Sequence, residues 1–333
     1  MKHEPNERQP MLTDRFGRVI DYARIAVTSA CNLRCAYCLR DEAGAPQKTQ
    51  QLDMNEAWRL IRVLAGMGVR KIRFTGGEPL LHPGITELVK LAKSAPGIET
   101  VKITTNGVLL DRQLDALVEA GLDGVNLSLD TLDREKFISI TRRDRFEQVS
   151  QALDRLITTP GLAIKLNTLL LRGINSDEIP AFVELTREHD VTVRFMELQP
   201  FDDQQIWRTG RFMGAEMIRK QLVGAYPELK AVTGHSTEHY SFRLPDHRGS
   251  IAIIPAFSRN FCSSCSKLRI TADARLISCL YHHESIDLAP VLKGKMNEEE
   301  IKKWIIEAVQ QKPKDGLKSS HDTAASSMSR IGG

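Results

Sequence analysis

Over the first 200 residues, six short β-branched or apolar runs alternate with amphipathic segments of helical period. The runs are ARIAVT (23–28), KIRFTG (71–76), TVKITT (100–105), GVNLSLD (124–130), AIKLNTLLL (163–171) and VTVRFMEL (191–198). A helix is expected after Asp53, where D-M-N-E offers a capping-box arrangement ahead of AWRLIRVLAGMG. Further helices are expected over 84–94, 112–121, about 145–157 and 176–190. Such alternation argues for a parallel sheet covered by helices, and six units predict an open, partial (β/α)6 TIM-like barrel. In that architecture the loops at the carboxyl ends of the strands build the site. SACNLRCAYC follows the first run, TGGEP the second and TTNG the third, and SLD ends the fourth.

From about residue 200 the pattern changes to mixed helix and short-strand signals. The chain is therefore divided into a core over 14–235 and a C-terminal α+β extension over 236–333. One amphipathic helix is expected over 298–312, and the last twenty residues are small and polar, a composition that reads as a frayed tail.

Hydrophobic residues make up 41% and charged residues 26% of the 333, the balance of a soluble globular protein. No apolar run approaches a membrane span, and the amino-terminal stretch lacks the apolar core of a secretory signal, so a cytoplasmic protein is expected. The net charge of +4 carries no concentrated basic stripe, which argues against nucleic acid as a partner.

The six cysteines fall into two triplets, Cys31, Cys35 and Cys38 as C-x3-C-x2-C, and Cys262, Cys265 and Cys279 as C-x2-C-x13-C. Structural disulfides are disfavoured in a large chain with no secretory signal. Clustered thiolates select soft metals or iron–sulfur clusters. A zinc site of Cys262, Cys265, Cys279 and His282 or His283 stays open, since structural zinc wants four ligands. A [4Fe–4S] cluster usually takes four thiolates, so three would leave one iron open to bind something else. Two such sites suggest two [4Fe–4S] clusters.

CNLRCAYC, with aromatic Tyr37 before the last cysteine, resembles the signature of the radical S-adenosylmethionine superfamily, and TGGEP (75–79) resembles its glycine-rich motif. With FCSSCSKLRITADARLISC and the terminal Gly332-Gly333, the resemblance narrows to the MoaA family of GTP 3′,8-cyclases in molybdenum cofactor synthesis, from about Asp14 to the end.

That resemblance implies a first cluster on Cys31, Cys35 and Cys38 whose open iron chelates S-adenosylmethionine, with Tyr37, Gly77, Ser128 and Gln199 at cofactor-binding positions. It implies a second cluster on Cys262, Cys265 and Cys279 that meets the guanine of GTP. Arg24, Arg73, Thr104, Lys165, Lys267, Leu268 and Arg269 fall on substrate positions, where guanidinium forks and ammonium charges suit a triphosphate. Gly332 and Gly333 fall on a tail that reaches into the catalytic site. The family also implies an electron donor and a downstream cyclic pyranopterin monophosphate synthase, and allows a homodimer. This chain departs from the family pattern at Lys267, where arginine is usual, at Gln199, where methionine is common, in the LRDEAG loop after Cys38, and at Arg142, where glycine is frequent. A diverged paralogue acting on another nucleotide or a peptide is the alternative those departures leave.

Overall fold

The computed structural model describes residues 11–38, 49–199, 209–233, 240–258, 262–281, 284–294 and 297–316. The expected runs form strands β1 (Tyr22–Thr28), β2 (Lys71–Gly76), β3 (Thr100–Thr105), β4 (Gly124–Ser128), β5 (Ala163–Leu169) and β6 (Val191–Met196). Beyond them lie β7 (Lys230–Val232), β8 (Tyr240–Arg243), β9 (Ser250–Ile254), β10 (Lys267–Ile270), β11 (Arg275–Ile277) and β12 (Ile286–Asp287). All belong to one sheet in the order β12-β11-β10-β1-β2-β3-β4-β5-β6-β9-β8-β7.

The six expected strands run parallel in sequence order, and two more extend the series. β10 pairs parallel with β1, and β9 parallel with β6. Among the described residues the parallel arc therefore has eight strands, two of them from beyond residue 235, and β9 and β10 at its ends do not pair with each other.

The helices are α1 (Met54–Gly66), α2 (Ile85–Ser94), α3 (Leu110–Glu119), α4 (Arg134–Thr141), α5 (Phe146–Thr158), α6 (Ile179–Glu188), α7 (Ala215–Ala225), α8 (Ala289–Lys293) and α9 (Glu298–Gln310). Asp53 caps α1 by accepting from the amides of Asn55 and Glu56. The helix expected over 298–312 stops at Gln310, because Pro313 disfavours helical backbone at Lys312. Its start carries a full capping box between Asn297 and Glu300. Helix α4 was not expected from the sequence; its cap, Asp133, accepts from the Lys136 amide.

Strand alternation sorts the residues between two faces. Ile25, Phe74, Ile103, Val125, Leu166 and Val193 point outward, are fully buried against the helices and anchor one continuous core. Each such side chain contributes roughly 1.5–3 kcal/mol of burial. Leu268 belongs to this apolar layer. The inward face is built differently.

Candidate active site

The inward face is cationic. The register aligns Arg269 with Arg24, Arg24 with Arg73, and Arg73 with Lys102, one row across β10, β1, β2 and β3. One pleat below, Lys267 aligns with Tyr22 and Tyr22 with Lys71. On the far wall Lys165 of β5 and Arg194 of β6 point inward, and Asn167 stands beside Arg194. In the amide orientation that satisfies both, the side-chain oxygen of Asn126 accepts from Nη1 of Arg73 at 2.9 Å and Nη1 of Arg194 at 3.1 Å.

These charges crowd one another out of water. Burial, then Arg73, Lys165 and Lys71, bring the Lys102 ammonium down to about 8. Burial pushes the Tyr22 phenol up, but Arg73, Arg24 and Lys71 outweigh it and lower it to about 8. The two guanidiniums and the Lys71 ammonium lie over the Tyr22 ring at 5.7, 5.4 and 5.4 Å from its centroid. Burial and Arg24 hold Lys267 well below the usual lysine range. Among the described residues, the buried Nε atoms of Arg24 and Arg269 have no hydrogen-bond partner. Buried donors without acceptors are costly, so a belt of this kind is built for a polyanion.

The two cysteine triplets occupy opposite mouths of the barrel. Cys31 comes three residues after β1 ends, at the carboxyl mouth. Cys265 comes two residues before β10 begins, and β10 runs parallel to β1, so the second triplet lies at the amino mouth. A seven-residue strand separates the mouths by about 20 Å. The expectation that site loops sit at carboxyl ends holds for the first triplet and not for the second. Position relative to β10 could be read only once the pairing of β10 with β1 was known.

Both triplets line one cavity of about 380 Å³. Of the positions expected to bind cofactor or substrate, Tyr37, Gly77, Ser128, Gln199, Arg24, Thr104, Lys267 and Arg269 also line it. Arg73 and Lys165 share its inward face without lining it, and Leu268 belongs to the apolar layer and does not line the cavity. Gly332, Gly333, His282 and His283 lie outside the described residues.

The first triplet is held from three sides. Leu33 donates its amide to Cys31 Sγ at 3.4 Å, and Arg34 and Ala36 donate theirs to the Thr141 and Ile140 carbonyls that end α4. The TGGEP strand lies alongside: Gly77 donates to the Thr28 carbonyl at 2.8 Å and Glu78 to that of Ala30 at 2.7 Å. A Cβ on Gly77 would stand 2.3 Å from the Ala30 oxygen and 2.6 Å from that of Ser29. The close approach these glycines permit is therefore to the cysteine loop itself. Tyr37 donates its hydroxyl to Asp130, a buried carboxyl that burial raises to about 6 and that also accepts from the Leu169 amide at 2.9 Å.

The second triplet is more electropositive. Burial alone would push the Cys265 thiol up, but Lys312 and then Lys267 bring it down to about 7. Gln199 donates to Tyr281 Oη at 3.4 Å, and Tyr281 donates to the Ala256 carbonyl at 2.6 Å. At the carboxyl end of β6, Glu197 accepts from the Ala215, Phe257 and Ser258 amides and the Ser258 hydroxyl. Asp130 was marked only by its place in SLD at the end of the fourth strand, and Glu197 and Tyr281 were not marked at all. Alternation of cations with apolar residues, as in Lys71-Ile72-Arg73, was a signal for the belt that could have been used.

Among the described residues, no group of three His, Cys, Asp or Glu side chains converges tightly enough for a single metal ion. Three soft thiol donors at each mouth, with a surplus of donors and cations around them, fit iron–sulfur clusters.

The chain matches the Radical SAM superfamily over residues 25–186 and Molybdenum Cofactor Synthesis C over 191–317. A GTP 3′,8-cyclase of Chlorobaculum tepidum is 83% identical over 326 residues, 98% of each chain. The protein belongs to the GTP 3′,8-cyclase family. A GTP 3′,8-cyclase of Stenotrophomonas maltophilia is 41% identical over 85% of this chain and 86% of its own. The barrel of this GTP 3′,8-cyclase family member is also similar to that of Streptococcus suis SuiB bound to S-adenosylmethionine, with TM-score 0.62 and 14% identity over 91% of this chain and 69% of that one. That likeness is one of fold. Membership of the superfamily implies S-adenosylmethionine and a [4Fe–4S] cluster.

Proposed function

We propose that this protein cyclises GTP to 3′,8-cyclo-7,8-dihydro-GTP, the first step of molybdenum cofactor synthesis, with a [4Fe–4S] cluster on each triplet. The observation that carries this reading is the belt of buried and half-buried cations set between the two triplets along one cavity. Cys31, Cys35 and Cys38 would hold the first cluster, with Tyr37, Gly77, Ser128 and Gln199 around S-adenosylmethionine. When bound, this pair supplies a 5′-deoxyadenosyl radical able to remove the ribose 3′ hydrogen.

The chain's own residues bind and orient. Arg24, Arg73, Lys165, Lys267 and Arg269, with Lys71, Lys102 and Arg194, neutralise the triphosphate, so the ribose is presented toward the carboxyl mouth and the base toward the amino mouth. Thr104 lies on the wall between. Cys262, Cys265 and Cys279 would hold the second cluster at the end of the cavity that takes the guanine. The buried floor of the belt keeps bulk water away, which strengthens each phosphate contact. Gly332 and Gly333 enter only through the family resemblance. No helix among the described residues is long and apolar enough to cross a membrane, and we place the enzyme in the cytoplasm, served by an electron donor and passing its product to a cyclic pyranopterin monophosphate synthase.

The test is mass spectrometry of an anaerobic reaction of reconstituted protein, reductant, S-adenosylmethionine and GTP. Formation of 5′-deoxyadenosine with a GTP isomer supports the reading. Deoxyadenosine without a GTP product would point to a diverged substrate, with Lys267 and Gln199 the first residues to revert. Cys35→Ala should abolish cofactor cleavage, and Cys265→Ala should keep slow uncoupled cleavage while losing product. Equal loss of cleavage in both would overturn the division of labour.

A further inference from the structure

Directly after α9 the chain turns back under the amino mouth as a short strap, 312–316. Lys312 is 1% exposed, and its ammonium donates to the carbonyls of Lys267 at 2.9 Å and Ser278 at 2.5 Å. Those two carbonyls belong to the two arms of the triplet. Lys267 follows Cys265 by two residues, and Ser278 precedes Cys279. The β10–β11 hairpin pairs Arg269 with Ile277, a register that continued by two residues sets Lys267 against Cys279. Lys312 thus spans the arms where the hairpin ladder has ended.

The third cysteine is held by the other end of the strap. The Gly316 amide donates to Cys262 Sγ at 3.2 Å, and a Cβ on Gly316 would stand 2.6 Å from Cys279 Sγ. Between them the carbonyls of Pro313 and Lys314 accept from Arg18, whose Nη1 also donates to the Cys262 carbonyl at 2.6 Å and whose Nε pairs with Asp14.

We infer that the strap is part of the second cluster's site, with Lys312 and Gly316 as positioning residues that hold its three thiolates in one array. This rests on the reading that the second triplet carries a cluster. Both residues also place positive potential at the sulfurs, which stabilises thiolate and, through N–H···S bonding, tunes a cluster's potential.

The experiment uses full-length protein reconstituted anaerobically, with iron content, release of iron to a chelator and electron paramagnetic resonance recorded with and without S-adenosylmethionine. Wild type should hold about eight irons. Gly316→Ala and Lys312→Met should release about half their iron roughly 10-fold faster than wild type. Each should keep the first cluster's spectral change on adding S-adenosylmethionine. Lys314→Ala, whose side chain is exposed on the same strap, should behave as wild type. Wild-type release rates in both test variants would overturn the assignment. So would equal loss of both clusters together with lost helical circular dichroism, which would mark a general folding role. A wild type holding only about four irons would overturn the second-cluster reading first, and the assignment with it.

Discussion

The side-chain amide of Asn106 donates to Cys31 Sγ across 3.7 Å, and the backbone amide of the same residue donates to Glu78 at 2.7 Å. Glu78, fully buried, also accepts from Thr105 Oγ1 at 2.7 Å and the Leu80 amide at 3.0 Å. One carboxyl therefore ties the loops after β2 and β3 to the first cysteine. Burial raises it from 4.5 to about 7 against those three donors. Because the folded pKa lies above the unfolded one, its contribution to stability is fullest below pH 4.5 and declines as pH rises through about 7, by about 3 kcal/mol in all. Glu78→Gln sets an amide NH2 against donors and should destabilise the apo-protein by about 1–3 kcal/mol at pH 5. That deficit should shrink by pH 8 when followed by urea unfolding, whereas a pH-independent deficit would contradict the burial argument.

Gly77→Ala forces a methyl onto the Ala30 and Ser29 carbonyls, which are backbone and cannot swing aside. The loop carrying Cys31 must shift. The variant should lose the spectral response to S-adenosylmethionine and about half its iron while keeping the iron of the second triplet. Iron analysis with electron paramagnetic resonance checks this, and an unperturbed first cluster would refute it.

Arg142 ends α4 at φ 56°, ψ 27°, in the left-handed region, directly after the Thr141 carbonyl that anchors Arg34. A non-glycine residue there costs about 1–2 kcal/mol, partly offset by the greater unfolded-state freedom of glycine. Arg142→Gly should raise stability by about 0.5–1 kcal/mol, and Arg142→Ala should not. Urea midpoints of the two variants decide it.

The belt carries a pH signature for nucleotide binding. As pH rises through about 8, Lys102 loses its positive charge and Tyr22 gains a negative one. Both changes weaken attraction for a triphosphate, so GTP affinity should fall between pH 7 and 9 and binding at pH 8.5 should take up protons. Titration calorimetry in two buffers of different ionisation enthalpy measures that uptake. Lys102→Ala should reduce it and weaken GTP binding about 10-fold, in line with a charged hydrogen bond of about 1.5 kcal/mol, while a pH-independent affinity would remove Lys102 from the site.

Much of this was legible in the sequence. Six of the eight strands in the parallel arc were marked by β-branched or apolar runs, and these runs carry the inward cations Arg24, Arg73 and Lys165, which the family resemblance marked, and Lys71, Lys102 and Arg194, which it did not. What could not be read were the non-local facts. Nothing near Lys267 in sequence says that it will lie beside Tyr22. Helix α4 has eight residues and little amphipathic contrast, so periodicity gave it no voice, although Asp133 was a visible cap. The glycine preference at position 142 was noticed as a departure, but its cause, a left-handed turn, needed the backbone.

The pairing of β1 with β10 also sets an order of assembly. β1 leaves the ribosome more than 230 residues ahead of β10, its partner on one side. A nascent chain can build β1 through β6 and still leave one edge of β1 bare, with Arg24 open to solvent, until Lys267–Ile270 emerges. Closing that long loop is the slow, high-contact-order event of the fold. The same event seats Arg269 beside Arg24 and brings the second triplet to its mouth, so the cationic interior and the finished sheet come into being together.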